Sequence, residues 1–390
     1  MRDGRIGVGL VGPSPGEDWA ARAHVPALRA LPAYELVAVA NSSLDSARAA
    51  AVAFDIPGAL GDSAALAGDP AVDVVVVTVK VSHRRALVDA ALAAGKMVYC
   101  EWPLGNGLAD AEAMADAART AGLRTVVGLQ ARSSPVVRCL GDLLRQGYVG
   151  EVLSTTLVAS GGILGPTTWA RDAYINVRAN GATLLTIPLG HTVDALCLCL
   201  GEFRDLSALT AMRRRSFRIA ETGEERPMAA EDQIVVGGTL EGGAVASIHS
   251  RGGSSRGTNL RWEINGTDGD LEITAPLGHL QLSPLTLRGA RHGESALVEL
   301  SISPEYRTFP SEVSGPAVNV AEVYAVRLGR PRPVPRRGFR RRSGAAPPHR
   351  SNRDRRDRWT SRRDLTTRIR ARLSPNRRWR RAGPTAAAKE

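Results

Sequence analysis

The chain has 390 residues, 43% of them apolar, with 51 Lys and Arg against 39 Asp and Glu. That is room for two domains, each with its own core. No run of about 18 uninterrupted apolar residues appears, which argues against a membrane span. The net charge of +12 is an unequal average: residues 326–390 hold 22 Arg and one Lys against three Asp and one Glu, so the preceding 325 residues are net −7. That mildly acidic body gives no reason to bind nucleic acid.

In chain order, residues 5–11 read as a short apolar strand, 19–31 as a helix, 34–40 as a second strand and 44–54 as an Ala-rich helix. The opening residues run straight into a strand pattern with no signal-peptide apolar region. Val-Asp-Val-Val-Val-Val-Thr-Val at 72–79 has the β-branched character of a central parallel strand covered on both faces. A helix at 83–94, a strand at 96–100, a helix at 110–121 and a strand at 125–129 follow. Strands alternating with helices imply βαβ units and a doubly wound parallel sheet, an α/β Rossmann-type domain over 1–130.

The pattern changes after Gln130. Helices are expected at 136–146 and 184–200, and strands at 150–160, 233–240, 244–250, 260–265, 269–273 and 277–282. Gly-rich turns separate the later strands. The expectation for 131–325 is an α+β domain with a largely antiparallel open sheet covering the second helix.

Gly7-x-Gly9-x-x-Gly12 matches the dinucleotide fingerprint literally, but Gly7 and Gly9 fall inside the first strand. A phosphate-binding loop must follow the strand and open the helix, where backbone N–H groups converge. The loop that meets this condition is 12–20, with Gly12, Ser14 and Trp19 as cofactor candidates. Asn41-Ser42-Ser43 follows the second strand, where an NAD site usually offers Asp or Glu to the ribose. No acidic group stands there and Arg48 is near, so the reading is NAD(P) with NADP mildly favoured. Ser43 also suits the N-cap of the next helix. Thr78, Lys80 and His83 follow the central strand, at the sheet end where open α/β folds bind ligands. Lys80 reads equally as a solvated loop lysine, and His83 as a capping histidine. His191 and Asp194 are three apart in an apolar helix and share a face. Cys100, Cys139, Cys197 and Cys199 have no metal spacing, and Cys197-x-Cys199 in an apolar helix reads as buried thiols. No metal site is expected, and a cytoplasmic setting fits these residues.

Jointly, the opening strand and loop, Ala23-His24-Val25-Pro26-Ala27-Leu28, residues 78–83, Gly95-Lys96-Met97-Val98-Tyr99-Cys100-Glu101-x-Pro103 and Gly147-Tyr148-Val149-Gly150-Glu151-Val152 resemble the glucose-fructose oxidoreductase/inositol dehydrogenase (Gfo/Idh/MocA) family over residues 4–325. The resemblance implies a dinucleotide-binding domain, an open-sheet domain that often mediates oligomerisation, and hydride transfer on a sugar, polyol or derivative. It places the family's catalytic lysine at Trp102 and its usual aspartate at Ile187, leaving only the histidine, His191. Tryptophan cannot shuttle a proton at neutral pH. The long loop, Glu101-Trp102, Leu129-Gln130-Ala131-Arg132-x-Ser134-Pro135 and Gly190-His191-Thr192-x-Asp194 resemble the branch of the fungal galactose-regulon repressor. Two functions follow. One is an NAD(P)-dependent oxidoreductase with His191 as acid/base, Asp194 in support, and Lys80 or Tyr174 as proton partners. The other is a catalytically silent NAD(P)-binding sensor or transcriptional co-regulator acting through a protein partner. Glu101, Trp102 and Gln130 join the cofactor candidates; Arg132, Arg171 and Asn180 are further candidates for ligand contact. The partners implied are a dinucleotide, a small carbohydrate-like ligand and further copies of the chain.

The resemblance stops after Ala325. The Arg/Pro-rich remainder, 326–390, has three readings: a non-specific basic nucleic-acid tail with Trp359 and Trp379 available for stacking, a disordered solvated tail, or the product of a frameshift in GC-rich coding DNA.

Overall fold

The computed structural model describes residues 4–16, 18–309 and 313–328. The tail from 329 onward, including Trp359 and Trp379, lies outside the described residues.

The first sheet has six parallel strands: β1 (Ile6–Val11), β2 (Tyr34–Ala40), β3 (Gly58–Leu60), β4 (Val74–Val77), β5 (Met97–Glu101) and β6 (Thr125–Gly128), in spatial order β3-β2-β1-β4-β5-β6. Every residue of β1 and β4 is buried, as expected of apolar β-branched strands covered on both faces. The connecting helices are α1 (Val25–Arg29), α2 (Leu44–Ala53), α3 (Ser63–Gly68), α4 (Arg84–Ala93) and α5 (Leu108–Ala121). Strand order reverses between β1 and β4, which opens a crevice at their carboxyl ends.

Gly7 and Gly9 lie within β1 and serve packing. A Cβ on Gly7 would strike the Ala71 carbonyl, and one on Gly9 would come within 2.6 Å of Leu66. The single helix expected at 19–31 is two pieces. A wide turn at Ala20–His24 precedes α1, with Pro26 at the start of α1. Proline lacks the N–H that a continuous α-helix would need there, so the chain loosens before it and restarts.

After α6 (Pro135–Arg145) comes a mixed eight-stranded sheet. Its strands are β7 (Val152–Gly161), β9 (Phe203–Ala211), β12 (Gln233–Leu240), β13 (Val245–Gly252), β14 (Leu260–Gly266), β15 (Gly269–Ala275), β16 (Thr286–Arg291) and β17 (Val298–Glu299), in the order β17-β16-β15-β14-β7-β13-β12-β9. Only β7 and β13 pair in parallel. A small sheet of β8 (Thr167–Thr168), β10 (Ser216–Ile219) and β11 (Glu225–Pro227) flanks it. α7 (Pro188–Leu200) joins one core with Leu157, Ile234, Ile248, Trp262 and Ile273. Trp262 is fully buried, and its indole N–H is satisfied by Thr155 Oγ1 at 2.9 Å.

The strand expected at 277–282 is a bend and turn instead. A Cβ on Gly278 would fall on the backbone of Ser160, so this stretch crosses the end of β7 without pairing to it. The partner of β15 is β16, whose Arg288 and Arg291 interrupt the apolar pattern.

The chain returns to the first domain through α8 (Ala317–Val323). The following residue, Tyr324, is fully buried and packs on Tyr99 (centroids 5.2 Å apart) and Tyr34 (5.4 Å). Its carbonyl accepts from the Tyr34 hydroxyl at 2.7 Å, and its own hydroxyl meets His24 Nδ1 at 2.8 Å. Tyr324→Ala should therefore destabilise the protein by about 3–5 kcal/mol and Tyr324→Phe by about 1 kcal/mol, measured by urea unfolding. Equal stabilities for Tyr324→Ala and the parent would show that this return does not anchor the first domain.

Candidate functional site

The crevice between β1 and β4 is closed at its base by backbone contact. Gly12 has φ +89°, and a Cβ there would collide with the Val79 side chain. The Thr78 N–H and hydroxyl both bond the Val11 carbonyl, at 3.1 and 2.9 Å. In the loop that follows β1, the Asp18 carboxylate accepts from the backbone N–H groups of Ser14 and, at 2.7 Å, Ala21. Asn41 Nδ2 donates to the carbonyls of Pro13 (2.8 Å) and Ser46 (3.1 Å), tying this loop to the end of β2. Ser42 is exposed. Ser43 caps α2 through Ser46 N–H.

Glu101, the last residue of β5, is buried beside this crevice. Its Oε1 meets His24 Nε2 at 2.8 Å, and its Oε2 accepts from Gln130 Nε2 at 2.7 Å. Burial pulls its carboxyl upward, but the His24 hydrogen bond and charge, with Arg84, outweigh it and hold Glu101 below the usual carboxylate range. Arg84 is itself buried. It binds the Val79 carbonyl (2.9 Å), the Glu101 carbonyl (2.6 Å) and the Pro103 carbonyl, so one guanidinium fixes the loops after both β4 and β5. The Trp19 indole N–H is buried within the field of Glu101 without reaching it in hydrogen-bond geometry.

Trp102 follows and precedes a cis peptide bond to Pro103. Its Nε1 donates to the Thr186 carbonyl at 2.5 Å, and a Cβ on Gly190 would lie 2.7 Å from that nitrogen. The indole thus fastens the end of β5 to the start of α7. One residue on is His191, buried, with Nδ1 lacking any hydrogen-bond partner. Burial lowers its pKa to about 4, against the opposing pull of Glu101, with His279 and Arg84 adding to the depression. The ring is therefore neutral at pH 7 and offers an unpartnered nitrogen to a ligand hydroxyl, while burial makes it a weaker base than a solvated imidazole.

The structure brings Lys80 and Tyr174 together, with the ammonium 4.9 Å from the ring centroid. Burial raises the Tyr174 phenol. It does not pair His191 with Asp194: Arg132 takes both carboxylate oxygens, Oδ2 at 2.7 Å, so Asp194 braces α7 against the segment at 130–133. His83 is exposed at the start of α4. Arg171 lies 6.0 Å from the Trp169 ring, and Asn180 Nδ2 donates to the Tyr174 carbonyl at 2.8 Å.

Three residues of the site escape sequence reasoning. Arg84 shares a helical face with Val88 and Ala91, and that periodicity marks it as buried. His24 stands between Ala23 and Val25, both buried. His279 has no local signal at all, because its position depends on the turn across β7.

A dinucleotide fits this crevice by two features: the close backbone approach at Gly12, and the buried His191 Nδ1 without a protein partner. Among the described residues no group of three or more His, Cys, Asp or Glu could hold a metal ion, and no helix is long and apolar enough to cross a membrane.

Residues 6–129 match the model of the oxidoreductase family with an NAD-binding Rossmann fold, and residues 135–275 match that of the Gal80p C-terminal domain. Dehydrogenase aclE of Aspergillus oryzae is 42% identical over 181 residues, 46% of this chain and 49% of that protein. The galactose/lactose metabolism regulatory protein GAL80 of Saccharomyces cerevisiae is 28% identical over 304 residues, 72% of this chain and 69% of that protein. The chain thus spans about half the length of the first relative. The crystal structure of a super-repressor mutant of Saccharomyces cerevisiae Gal80p superposes with a TM-score of 0.74 at 25% identity, covering 82% of this chain and 85% of that one.

The depressed His191 carries a stability signature. Above pH 6.5 the ring is neutral in both folded and unfolded chains. As pH falls from 6.5 toward 4, the unfolded chain binds a proton that the folded one refuses, so stability drops through that window. His191→Gln should abolish a part of this loss on the order of 3 kcal/mol at pH 4, read from urea midpoints at pH 7 and pH 4.5. An unchanged pH dependence would mean that His191 titrates normally.

Proposed function

We propose, for a chain that belongs to the Gfo/Idh/MocA family of NAD-binding oxidoreductases and whose second domain is of the Gal80p C-terminal type, that the crevice binds NAD(P) and that His191 handles the hydroxyl proton of a sugar, polyol or derivative. The observation that carries the reading is the buried neutral His191, its Nδ1 unpartnered, next in sequence to Gly190, against which the Trp102 indole lies. Gly12, Ser14, Trp19, Asn41, Ser42 and Thr78 would line the dinucleotide, with Glu101 and Gln130 beneath it. Bound there, the nicotinamide supplies the hydride acceptor or donor. The chain's own task is to orient the alcohol and take its proton at an imidazole nitrogen of His191. Lys80 and Tyr174, already in contact, would carry a proton onward. The absence of an acidic side chain at 41–43 supports NADP(H) as the better-tolerated form.

One observation favours a second reading, a dinucleotide-binding regulator without turnover. Trp102 stands at the family's lysine position with its N–H engaged by Thr186, and Ile187 stands at the aspartate position, so two proton-handling groups are replaced. Loss of a general acid/base typically costs about 10²–10⁴-fold in rate.

Calorimetric titration with NADH and NADPH, followed by a turnover screen over sugars and polyols, separates the two. The expected result is binding of both, NADPH at least as tightly, and turnover of at least one alcohol that falls by about 10²–10⁴-fold in His191→Ala while dinucleotide affinity holds. Tight dinucleotide binding with no turnover across the panel would establish the regulator, and no dinucleotide binding would overturn both readings.

A further inference from the structure

Among the described residues only two histidines have a buried Nδ1 with no hydrogen-bond partner: His191 and His279. They are 88 positions apart in sequence, yet His279 lies near enough for its charge to add to the depression of His191. The packing explains how. Gly278 lies against the backbone of Ser160 at the end of β7, and a Cβ on the adjoining Gly161 would stand 3.3 Å from Pro188, the first residue of α7. His191 is one turn further along that helix. Beyond His279, the Gln281 carbonyl accepts from Asn319 Nδ2 of α8 at 3.2 Å, which holds the turn on its other side. Leu280, fully buried, anchors the turn in the apolar core.

The turn carries more polar capacity than the protein uses. Gln281 is 4% exposed, and its Oε1 is buried without a partner; so is Ser283 Oγ. Buried polar atoms without partners are costly and seldom idle. The group of atoms also constrains what could satisfy it. Amide oxygens accept only, a hydroxyl does both, and a neutral imidazole nitrogen does either according to its tautomer. Arg132 is held by Asp194 and Arg84 by three backbone carbonyls. A carboxylate or phosphate would bring further acceptors to atoms that are themselves largely acceptors. Hydroxyl groups, donating and accepting at once, match it.

We propose that His279, with Gln281 beside it, is a specificity-determining contact of the ligand pocket, holding a hydroxyl of a neutral polyhydroxylated ligand distinct from the hydroxyl handled by His191. This rests on the reading of the crevice as a sugar or polyol site and adds the wall that selects among such ligands. The neutral state of His279, whose pKa burial lowers to about 4, agrees with an uncharged ligand.

The test uses the full-length protein saturated with NADH and titrated calorimetrically with sorbitol, myo-inositol, 1,5-anhydro-D-glucitol and, as an anionic counterpart, gluconate. At least one neutral probe should bind the parent protein. His279→Ala and Gln281→Ala should each weaken it roughly 5–30-fold, while NADH affinity and the Tm without probe stay unchanged. His279→Asn, which keeps a polar atom near the position of Nδ1, should restore most of the binding. Gluconate should bind no better than sorbitol. Parent-like probe affinity in His279→Ala would overturn this assignment and leave the sugar or polyol reading standing. Failure of every neutral probe to bind the NADH-loaded parent would overturn both. Loss of Tm or NADH affinity in His279→Asn would assign the residue to folding instead, and tighter binding of gluconate would overturn the neutral class.

Discussion

The buried carboxylate of Glu101 is the constraint around which the site is built. An ionised carboxylate removed from water is tolerated only with close hydrogen-bonding partners. This one recruits His24 from the turn before α1 and Gln130 from the segment after β6. His24 in turn requires the Tyr324 hydroxyl, delivered by the chain's last described helical turn. A Cβ on Gly128 would strike the carboxylate oxygen, so the strand alongside must carry glycine. Four distant stretches of chain are therefore held in register by one acid, and the end of β5 cannot move independently of the loops around it. Breaking any single link leaves a charge buried without full compensation, which costs more than the intact network contributes.

Arg84 extends the same logic to the backbone. Its guanidinium satisfies carbonyls after β4 and after β5, two loops that flank the strand-reversal point. The crevice is thus pre-shaped before any ligand arrives, which lowers the ordering cost of binding.

The parallel sheet was legible because β4 is four valines in a row and because glycines inside β1 are in the wrong register to cradle phosphate. Spacing also placed His191 in α7, an element long and apolar enough to be unambiguous. What spacing missed was set by partners far away in sequence. Asp194 shares a helical face with His191, yet Arg132, 62 residues earlier, offers it a bidentate ion pair that the imidazole cannot match. The turn at 277–282 has strand-like composition, but the end of β7 occupies the place where its neighbour would pair. The single helix read at 19–31 is instead a widened turn at Ala20–His24 followed by α1, with Pro26 at the restart. Local pattern fixes an element's type; the partner that a polar side chain chooses is decided by tertiary placement.

Trp102 acquires its meaning from that placement. A lysine at this position would have projected a mobile charge toward the ligand. The indole instead donates to the Thr186 carbonyl, just before α7, and lies against the small Gly190. A larger residue at 190 would displace it, so Trp102 and Gly190 form a matched pair across the two domains. Ile187, one residue beyond that carbonyl, is half-buried among apolar neighbours and has no charged partner to answer. The two side chains serve different contacts: Trp102 joins the end of β5 to the approach to α7, and Ile187 packs on the apolar core of the second domain. The dinucleotide crevice, fixed by Glu101 and Arg84, is untouched by either change. The residues that shape the crevice and the unpartnered nitrogen of His191 thus lie on separate elements, the strand ends of the first sheet and α7.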